Sequence, residues 1–307
     1  MRQITIFFLI VFLLMSFSVY LIYRNNTENL VIIDNKIRIV TSLFPLYDFS
    51  KIIAEGEAEV SLLLPPGTEA HSFEPKPSDI IKIKNADIFV YAGKYMEPWA
   101  EDVINGLDKT KIFIIDASEG IDLIKDEDGH GIDPHFWLDF DNAGIVAGHI
   151  ESVLSQINPE KAQEYKMNLE NFKKELMSLD EKYWLGLSGC GKNEIIQGGH
   201  MAFGYLMKRY NIGYMSAEGF NPDAEATPKD LAALSDQIKK LGLKYVYYEE
   251  LIEPRMAETI SRETGATPLL LHAVHNISKD DFDGEATYLS LMKKNLDNLK
   301  LGLECQI

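Results

Sequence analysis

Histidines are the residues of this chain whose positions most clearly suggest chemistry. The sequence contains seven of them, and four follow segments that have the composition of buried β-strands. His71 and His135 lie in the first half of the chain, and His200 and His272 lie in the second half. In open parallel sheets, ligands bind beyond the carboxyl ends of the strands. If the two halves face each other, these four imidazoles converge in the crevice between them.

Four neutral imidazoles form a ligand set with a definite metal preference. Imidazole nitrogen is a borderline-soft donor that suits zinc, copper, nickel or iron better than calcium or magnesium. Four nitrogen ligands without a carboxylate favour tetrahedral Zn²⁺, whereas Mn²⁺ prefers a site with more carboxylate oxygen. The sequence therefore predicts a Zn²⁺ site, with Mn²⁺ as the second choice, whose ligands are His71, His135, His200 and His272.

The remaining histidines leave alternatives open. His275 lies three residues after His272 and competes with it for the fourth position, but we prefer His272 because it directly ends an apolar run. His130 lies in a polar loop rich in Asp and Gly that could collect metal weakly, and His149 falls inside a helical pattern. Metal-bound imidazoles usually donate their other N–H to a carboxylate or a carbonyl. The candidate carboxylates for this role are Asp133, Asp139, Glu69, Glu74, Glu218 and Glu249.

Short apolar or β-branched runs recur along both halves, and a helix-like stretch follows each run. Continuous apolar runs are typical of strands that are buried on both faces of a parallel sheet. The alternation predicts an α/β fold of two similar lobes, each with a parallel four-stranded sheet. The predicted strands are Ile37–Phe44, Val60–Leu64, Asp87–Ala92, Ile112–Asp116, Glu194–Gln197, Ile212–Ser216, Lys244–Tyr248 and Thr267–Leu271.

A long amphipathic helix is predicted between the two halves. Asn158 is a favourable N-cap, and Pro159 suits the first helical position. From Ala162 to Tyr183, apolar residues recur at alternating steps of three and four, which marks one face of a helix. A helix that continues to Leu185 would be roughly 40 Å long. A helix of this length can run along both lobes and hold them as a rigid backbone.

The N-terminus has the composition of a membrane segment. Residues 4–23 carry no charge, and a helix of about twenty residues spans roughly 30 Å, the thickness of the hydrocarbon core of a bilayer. The apolar region of a cleaved signal is usually shorter, about 7–15 residues, and ends at a small-residue site. We therefore expect an uncleaved anchor, with a cleaved signal as the alternative. The expected divisions are a signal anchor at 1–24, a tether at 25–36, lobes at 37–157 and 187–307, and a linker helix at 158–186.

The composition excludes several classes of function. The chain has 307 residues, with 30 Lys and Arg against 47 Asp and Glu, so its formal net charge is −17 at pH 7. Nucleic-acid binding needs a basic stripe, and a chain this acidic argues against such a partner. Two cysteines, Cys190 and Cys305, are too few for a disulfide-dense scaffold or a multi-cysteine zinc finger. They could form one bridge, which the sequence leaves undecided.

Five segments of the chain are informative when they are taken together. The most specific are DPHFWLD at 133–139 and PPGTEAHSFEPKPSDI at 65–80, and the other three lie at 86–99, 200–206 and 269–303. In this order they resemble the metal-binding solute-binding proteins of ABC importers in the zinc/manganese family, cluster A-I. The resemblance implies two α/β lobes that are joined by a rigid helix, with one metal ion between them.

The same resemblance implies which residues bind the ion. His71, His135 and His200 match the three histidine ligands of the family. The fourth family position usually holds Asp or Glu, and we assign His272 to it. This departure from the family pattern would shift the preference of the site from manganese towards zinc.

The histidines and the resemblance lead to one expected function and two alternatives. We expect an extracytoplasmic protein, anchored in the membrane, that binds a divalent metal with high affinity and delivers it to the permease of an ABC importer. It would be a monomer and not an enzyme. The first alternative is a membrane-anchored zinc hydrolase in which His71, His135 and His200 leave one position open for water, with Glu218 or Glu249 as the general base. The sequence contains no H-E-x-x-H or G-x-S-x-G motif to support it. The second alternative is an adhesin on the same scaffold.

Overall fold

The computed structural model describes residues 15, 17, 36–125, 131–220, 226–251 and 254–306. The chain divides into two units, Met1–Lys36 and Ile37–Ile307. The predicted anchor and tether fall almost entirely outside the described residues and stay predictions. Within the described residues, no helix has both the length and the apolar character needed to cross a membrane. The second unit contains the elements and the site described below.

Parallel sheets form the framework of Ile37–Ile307. In the described part of this unit the strands are β1 (Ile37–Thr41), β2 (Ala58–Leu62), β3 (Ile88–Tyr91), β4 (Phe113–Asp116), β5 (Glu194–Gln197), β6 (Gly213–Ser216), β7 (Tyr245–Tyr248) and β8 (Thr267–Leu270). They form one four-stranded sheet in the order β2-β1-β3-β4 and another in the order β6-β5-β7-β8. Neighbouring strands are parallel in both sheets. The predicted α/β class is confirmed, and each predicted strand overlaps an observed one.

Helices connect successive strands and cover the sheets. Their bounds among the described residues are α1 (Phe44–Ala54), α2 (Pro77–Lys84), α3 (Trp99–Asn105), α4 (Phe140–Ile157), α5 (Ala162–Leu187), α6 (Gly204–Arg209), α7 (Pro228–Leu241), α8 (Arg255–Thr264), α9 (Lys279–Asp283) and α10 (Tyr288–Gly302). Short 3-10 turns at Phe136–Leu138 and Pro159–Lys161 precede α4 and α5. In each sheet the strand order reverses direction at its first strand, which is the position where ligands bind in open α/β folds.

Helix α5 follows the predicted linker closely. Its buried residues are Tyr165, Phe172, Leu176, Leu179 and Tyr183, all of which belong to the apolar stripe that the sequence predicts. The first turn differs from the prediction, because Lys161 N–H donates to the carbonyl of Asn158 and the turn is 3-10. The helix ends at Leu187.

One continuous apolar core extends from β1 to the end of α10 and contains residues of both halves. At its centre, the ring of Phe49 lies 5.3 Å from Phe172 of α5 and 5.0 Å from Tyr288 of α10. A disulfide joins Cys190, which follows α5, to Cys305, which follows α10. Because α1, α5 and α10 share a close-packed core, the two sheets are held in a fixed relation.

Candidate metal centre

Four histidine rings from both halves of the chain converge on one point. His71 follows β2, His135 lies between β4 and α4, His200 follows β5, and His275 follows β8. Their ligand nitrogens all lie within 4.8 Å of one another. His135, His200 and His275 are buried, whereas His71 is half-buried. The group therefore lies inside the protein, and His71 is the one of its four rings that is partly accessible to solvent.

Two of the nitrogen–nitrogen distances in the group match those of a tetrahedral zinc site. The Nε2 atom of His135 lies 3.2 Å from Nε2 of His71 and 3.2 Å from Nε2 of His200. Zinc–nitrogen bonds of about 2.0–2.1 Å in tetrahedral geometry place neighbouring ligand nitrogens ~3.3–3.4 Å apart. The observed distances differ from this by only a few tenths of an ångström. These side chains can hold such an ion without a large movement.

Buried carboxylates fix the orientation of two of the imidazoles. The Nδ1 atom of His135 lies 2.7 Å from Oδ1 of Asp133, and Nδ1 of His200 lies 2.7 Å from Oε1 of Glu249. The same oxygens accept the backbone N–H groups of His135 and His200. When Nδ1–H donates to a carboxylate, the neutral ring carries its lone pair on Nε2. Both rings therefore turn a metal-binding nitrogen towards the centre of the group.

Two glycines allow these carboxylates to come so close. A Cβ atom on Gly199 would lie 2.7 Å from Oε1 of Glu249, and a Cβ atom on Gly204 would lie 2.5 Å from Oδ2 of Asp133. Both distances are shorter than a carbon–oxygen contact tolerates. Glycine at 199 and 204 therefore leaves the space that the two carboxylates occupy.

Burial controls the charge of the histidines. It lowers the pKa of His71 and His135 well below the usual range, and charge on the neighbouring imidazoles lowers both further. Burial likewise lowers the pKa of His275 to about 4. At His200 burial also lowers the pKa, but the charge and the hydrogen bond of Glu249 outweigh it, so the pKa is raised overall. Uncharged imidazoles keep a lone pair available for a metal ion.

The carboxylates around the group are costly to bury by themselves. Burial raises the pKa of Asp133 to about 8 and that of Glu250 to about 7. Oε1 of Glu250 lies 3.6 Å from Nδ1 of His275 and 3.2 Å from Nδ1 of His272. A divalent cation among the imidazoles would offset the cost of these buried negative charges.

The structure does not bring His272 into the group that contains His71, His135 and His200. The fourth ring is that of His275, which lies 4.8 Å from the ring of His135 and 5.5 Å from that of His200. His272 is buried nearby, but its Nδ1 accepts the backbone N–H of Val274 at 3.0 Å. The chain turns after β8 and brings the later histidine, His275, to the other three rings.

Comparison with known proteins relates this arrangement to a family. A family profile described as "Zinc-uptake complex component A periplasmic" (ZnuA) matches residues 39–302 of this chain. The chain belongs to the ZnuA family. The resemblance to the cluster A-I metal-binding proteins is thereby confirmed.

Two curated relatives show how far the similarity extends. The chain is 33% identical over 282 residues to the "High-affinity zinc uptake system protein ZnuA" of Bacillus subtilis (strain 168), with 87% of both chains covered. It is 32% identical over 314 residues to the "Zinc-binding protein AdcA" of Streptococcus pyogenes serotype M18, with 95% of this chain covered. The alignment spans 61% of that relative's length. Both are described by zinc binding or uptake rather than by a catalysed reaction, in agreement with the expectation that the chain is not an enzyme.

Solved structures of the ZnuA family share the fold. The Zn(II)-bound ZnuA-like domain of Streptococcus pneumoniae AdcA superimposes with a TM-score of 0.77 at 34% identity, and covers 88% of this chain and 100% of that one. The laminin-binding protein Lmb of Streptococcus agalactiae, described as bifunctional with adhesin and metal transporting activity, superimposes with a TM-score of 0.79 at 30% identity. That comparison covers 87% of this chain and 99% of the other. The two-sheet fold is therefore that of the ZnuA family.

The other candidate residues of this ZnuA-family chain lie elsewhere. His149 lies in α4, and His130 lies outside the described residues. Glu69 accepts the backbone N–H groups of His71 and Ser72, so it shapes the loop that carries the first histidine. Of the remaining acids, Asp139 caps α4, Glu74 is exposed, and Glu218 follows β6. Sequence analysis missed Glu250, whose only signal was its position directly after Glu249 at the end of β7.

Proposed function

We propose that this chain binds one Zn²⁺ ion through the Nε2 atoms of His71, His135, His200 and His275. One observation carries the proposal: four imidazoles from both halves converge with their ligand nitrogens within 4.8 Å of one another, and two of the nitrogen–nitrogen distances are 3.2 Å, close to those of tetrahedral zinc. In this assignment His275 takes the fourth position that sequence analysis gave to His272. The zinc-binding relatives support zinc as the ion. Manganese should bind a site made only of nitrogen ligands more weakly than zinc does.

The ion is cargo rather than a cofactor in this proposal. The chain acts outside the cytoplasm as a monomer, captures zinc and hands it to the permease of an ABC importer. The family description as a periplasmic component of zinc uptake supports this role, as does the Streptococcus pneumoniae relative that is described as a lipoprotein.

The apolar segment at residues 4–23 is the proposed membrane anchor. If the full-length protein is released into the supernatant when intact cells are washed, and is not found in the membrane fraction, the proposed anchor is refuted.

The alternative of a zinc hydrolase fits the geometry poorly. Catalytic zinc sites keep one coordination position open for water and place a general base beside it. Here the ring of His275 takes the fourth position, and Asp133 and Glu249 contact the Nδ1 atoms on the far side of the rings. Neither carboxylate faces the place where a metal-bound water would lie.

Metal affinity tests the ligand set directly. Zinc and manganese binding are measured by competition with a chelator for the wild type and for alanine variants of the four histidines. We expect each substitution to weaken zinc binding by at least about tenfold, or roughly 1.4 kcal/mol. His149→Ala serves as the matched control and should bind zinc as the wild type does. Tighter binding of manganese than of zinc by the wild type would refute the choice of metal.

Uptake measurements test delivery. In cells that lack this protein but keep the permease, the wild type should restore zinc accumulation at low external zinc, and His135→Ala should not. If the wild type binds zinc in solution but fails to restore uptake, the proposed delivery is refuted. Loss of attachment to laminin in the same cells, with uptake unchanged, would favour the adhesin alternative that the relative Lmb represents.

A further inference from the structure

The turn that presents His275 contains an unusual backbone conformation. Val274 has a φ of +62° and is completely buried. Positive φ is uncommon for any residue with a side chain, and for a β-branched residue it is strongly disfavoured. Such conformations persist only where the surroundings enforce them, and they cluster at binding sites. Some contact must therefore hold Val274 in this state.

The side chain of His272 makes that contact. Its Nδ1 atom accepts the backbone N–H of Val274 at 3.0 Å. His272 is itself fixed by two hydrogen bonds to Asn295: its N–H donates to Oδ1 at 2.7 Å, and its carbonyl accepts Nδ2–H at 2.8 Å. At the other end of the turn, the carbonyl of His275 accepts the N–H of Phe44 at 3.0 Å. Both ends of the turn are thus anchored. Between them, Ala273 donates its N–H to Oε2 of Glu250 and accepts Nε1–H of Trp137, while the bond to His272 is the one that holds the N–H of Val274 itself.

This hydrogen bond also decides what the His272 ring can do. A backbone N–H is always a donor, so Nδ1 of His272 must carry a lone pair; Oε1 of Glu250 lies 3.2 Å from the same atom but makes no hydrogen bond with it. In the neutral ring the proton then lies on Nε2, which has no hydrogen-bond partner among the described residues. A protonated Nε2 offers no lone pair to a metal ion. His272 can become a zinc ligand through Nε2 only if it gives up the bond that holds Val274.

We propose that His272 is a positioning residue: its Nδ1 atom holds Val274 in the left-handed conformation that directs Nε2 of His275 to the metal ion. The inference rests on the proposed function and extends it to a residue outside the ligand group. It explains why His272 and His275 are separated by only two residues and have different roles. The ring of His272 acts on the metal solely through the backbone of the turn.

The test compares two substitutions of His272, one that keeps a hydrogen-bond acceptor for the N–H of Val274 and one that removes it. His272→Asn places Oδ1 close to the former position of Nδ1 and keeps the acceptor, but it removes Nε2. His272→Ala removes both. Zinc affinity by chelator competition should change less than about threefold in His272→Asn and fall at least about tenfold in His272→Ala. His275→Ala is the reference for the loss of a ligand, and urea unfolding without metal checks that each variant folds.

A second substitution tests the backbone route. Glycine adopts positive φ without strain. Adding Val274→Gly to His272→Ala should therefore raise zinc affinity at least threefold above that of His272→Ala alone. Adding Val274→Gly to His275→Ala should leave the zinc affinity unchanged. With Co²⁺ as a spectroscopic probe, the visible bands of a four-nitrogen tetrahedral site should persist in His272→Asn and change in His275→Ala.

The outcomes separate the inference from the function on which it rests. If His272→Asn loses as much affinity as His275→Ala and its Co²⁺ bands change in the same way, His272 is a ligand and the inference is wrong. Failure of Val274→Gly to rescue His272→Ala would also overturn it. If the wild type binds neither zinc nor Co²⁺ at this site, the proposed function fails instead.

Discussion

Removing the charge of Asp133 or Glu249 should weaken zinc binding although neither residue touches the ion in the proposed site. Each carboxylate lies 2.7 Å from the Nδ1 atom of one histidine and is almost completely buried. Loss of such a partner typically costs about 10–100-fold in metal affinity, or roughly 1.4–2.7 kcal/mol. Asp133→Asn and Glu249→Gln keep an oxygen that can accept Nδ1–H, so we expect each loss to lie near tenfold.

The double variant sharpens the prediction. Asp133 acts on His135 and Glu249 acts on His200, so the two losses should approach a product of about a hundredfold if they are independent. Zinc affinity is measured by chelator competition at constant pH. Asp48→Asn is the matched control, because Asp48 is also buried and accepts a backbone N–H, that of Tyr288, rather than a histidine.

A result within about twofold of the wild type for both single variants would refute this reasoning. It would mean that packing alone orients the two rings and that the carboxylates contribute nothing to their basicity. A tenfold loss in Asp48→Asn would be equally damaging, because the effect would then come from any buried charge and not from the contact with Nδ1.

Three further measurements follow from the fold. Replacing both Cys190 and Cys305 by Ser should lower the free energy of unfolding in urea by up to about 5 kcal/mol, because the bridge spans 115 residues of chain. The zinc affinity of this double variant should match that of the wild type. Burial raises the pKa of Asp48 to about 6 against an ordinary 3.8, so the stability it contributes is present below about pH 4 and is lost as the pH rises through 6. Asp48→Asn should therefore gain stability over the wild type between pH 4 and 7, by at most about 3 kcal/mol, and a flat difference across this range would contradict the raised pKa. Free zinc at a hundred times its Kd should raise the free energy of unfolding by about 2.7 kcal/mol, and His135→Ala should show a clearly smaller increase at the same zinc concentration.

The strand–helix alternation was readable in the sequence because parallel strands are buried on both faces. Each run that the pattern predicts overlaps an observed strand, from β1 at Ile37–Thr41 to β8 at Thr267–Leu270. The linker helix was readable for the same kind of reason, since its apolar stripe from Tyr165 to Tyr183 is buried against the core. Local patterns of burial fix local elements, and these elements restrict the fold to a few arrangements.

Three of the four converging histidines could also be found from the sequence, because strand ends in a parallel sheet share one edge. The choice between His272 and His275 could not. It depends on the buried, positive-φ conformation of Val274, on the hydrogen bond that His272 N–H donates to Asn295 and on the one that Phe44 N–H donates to His275; Asn295 and Phe44 are distant from this turn in the chain. The sequence by itself determined the strands and helices, the resemblance to the family, and histidine as the metal-binding side chain. Only the tertiary structure decided which ring points inward, because the direction of a side chain in a turn is set by contacts that no local pattern records.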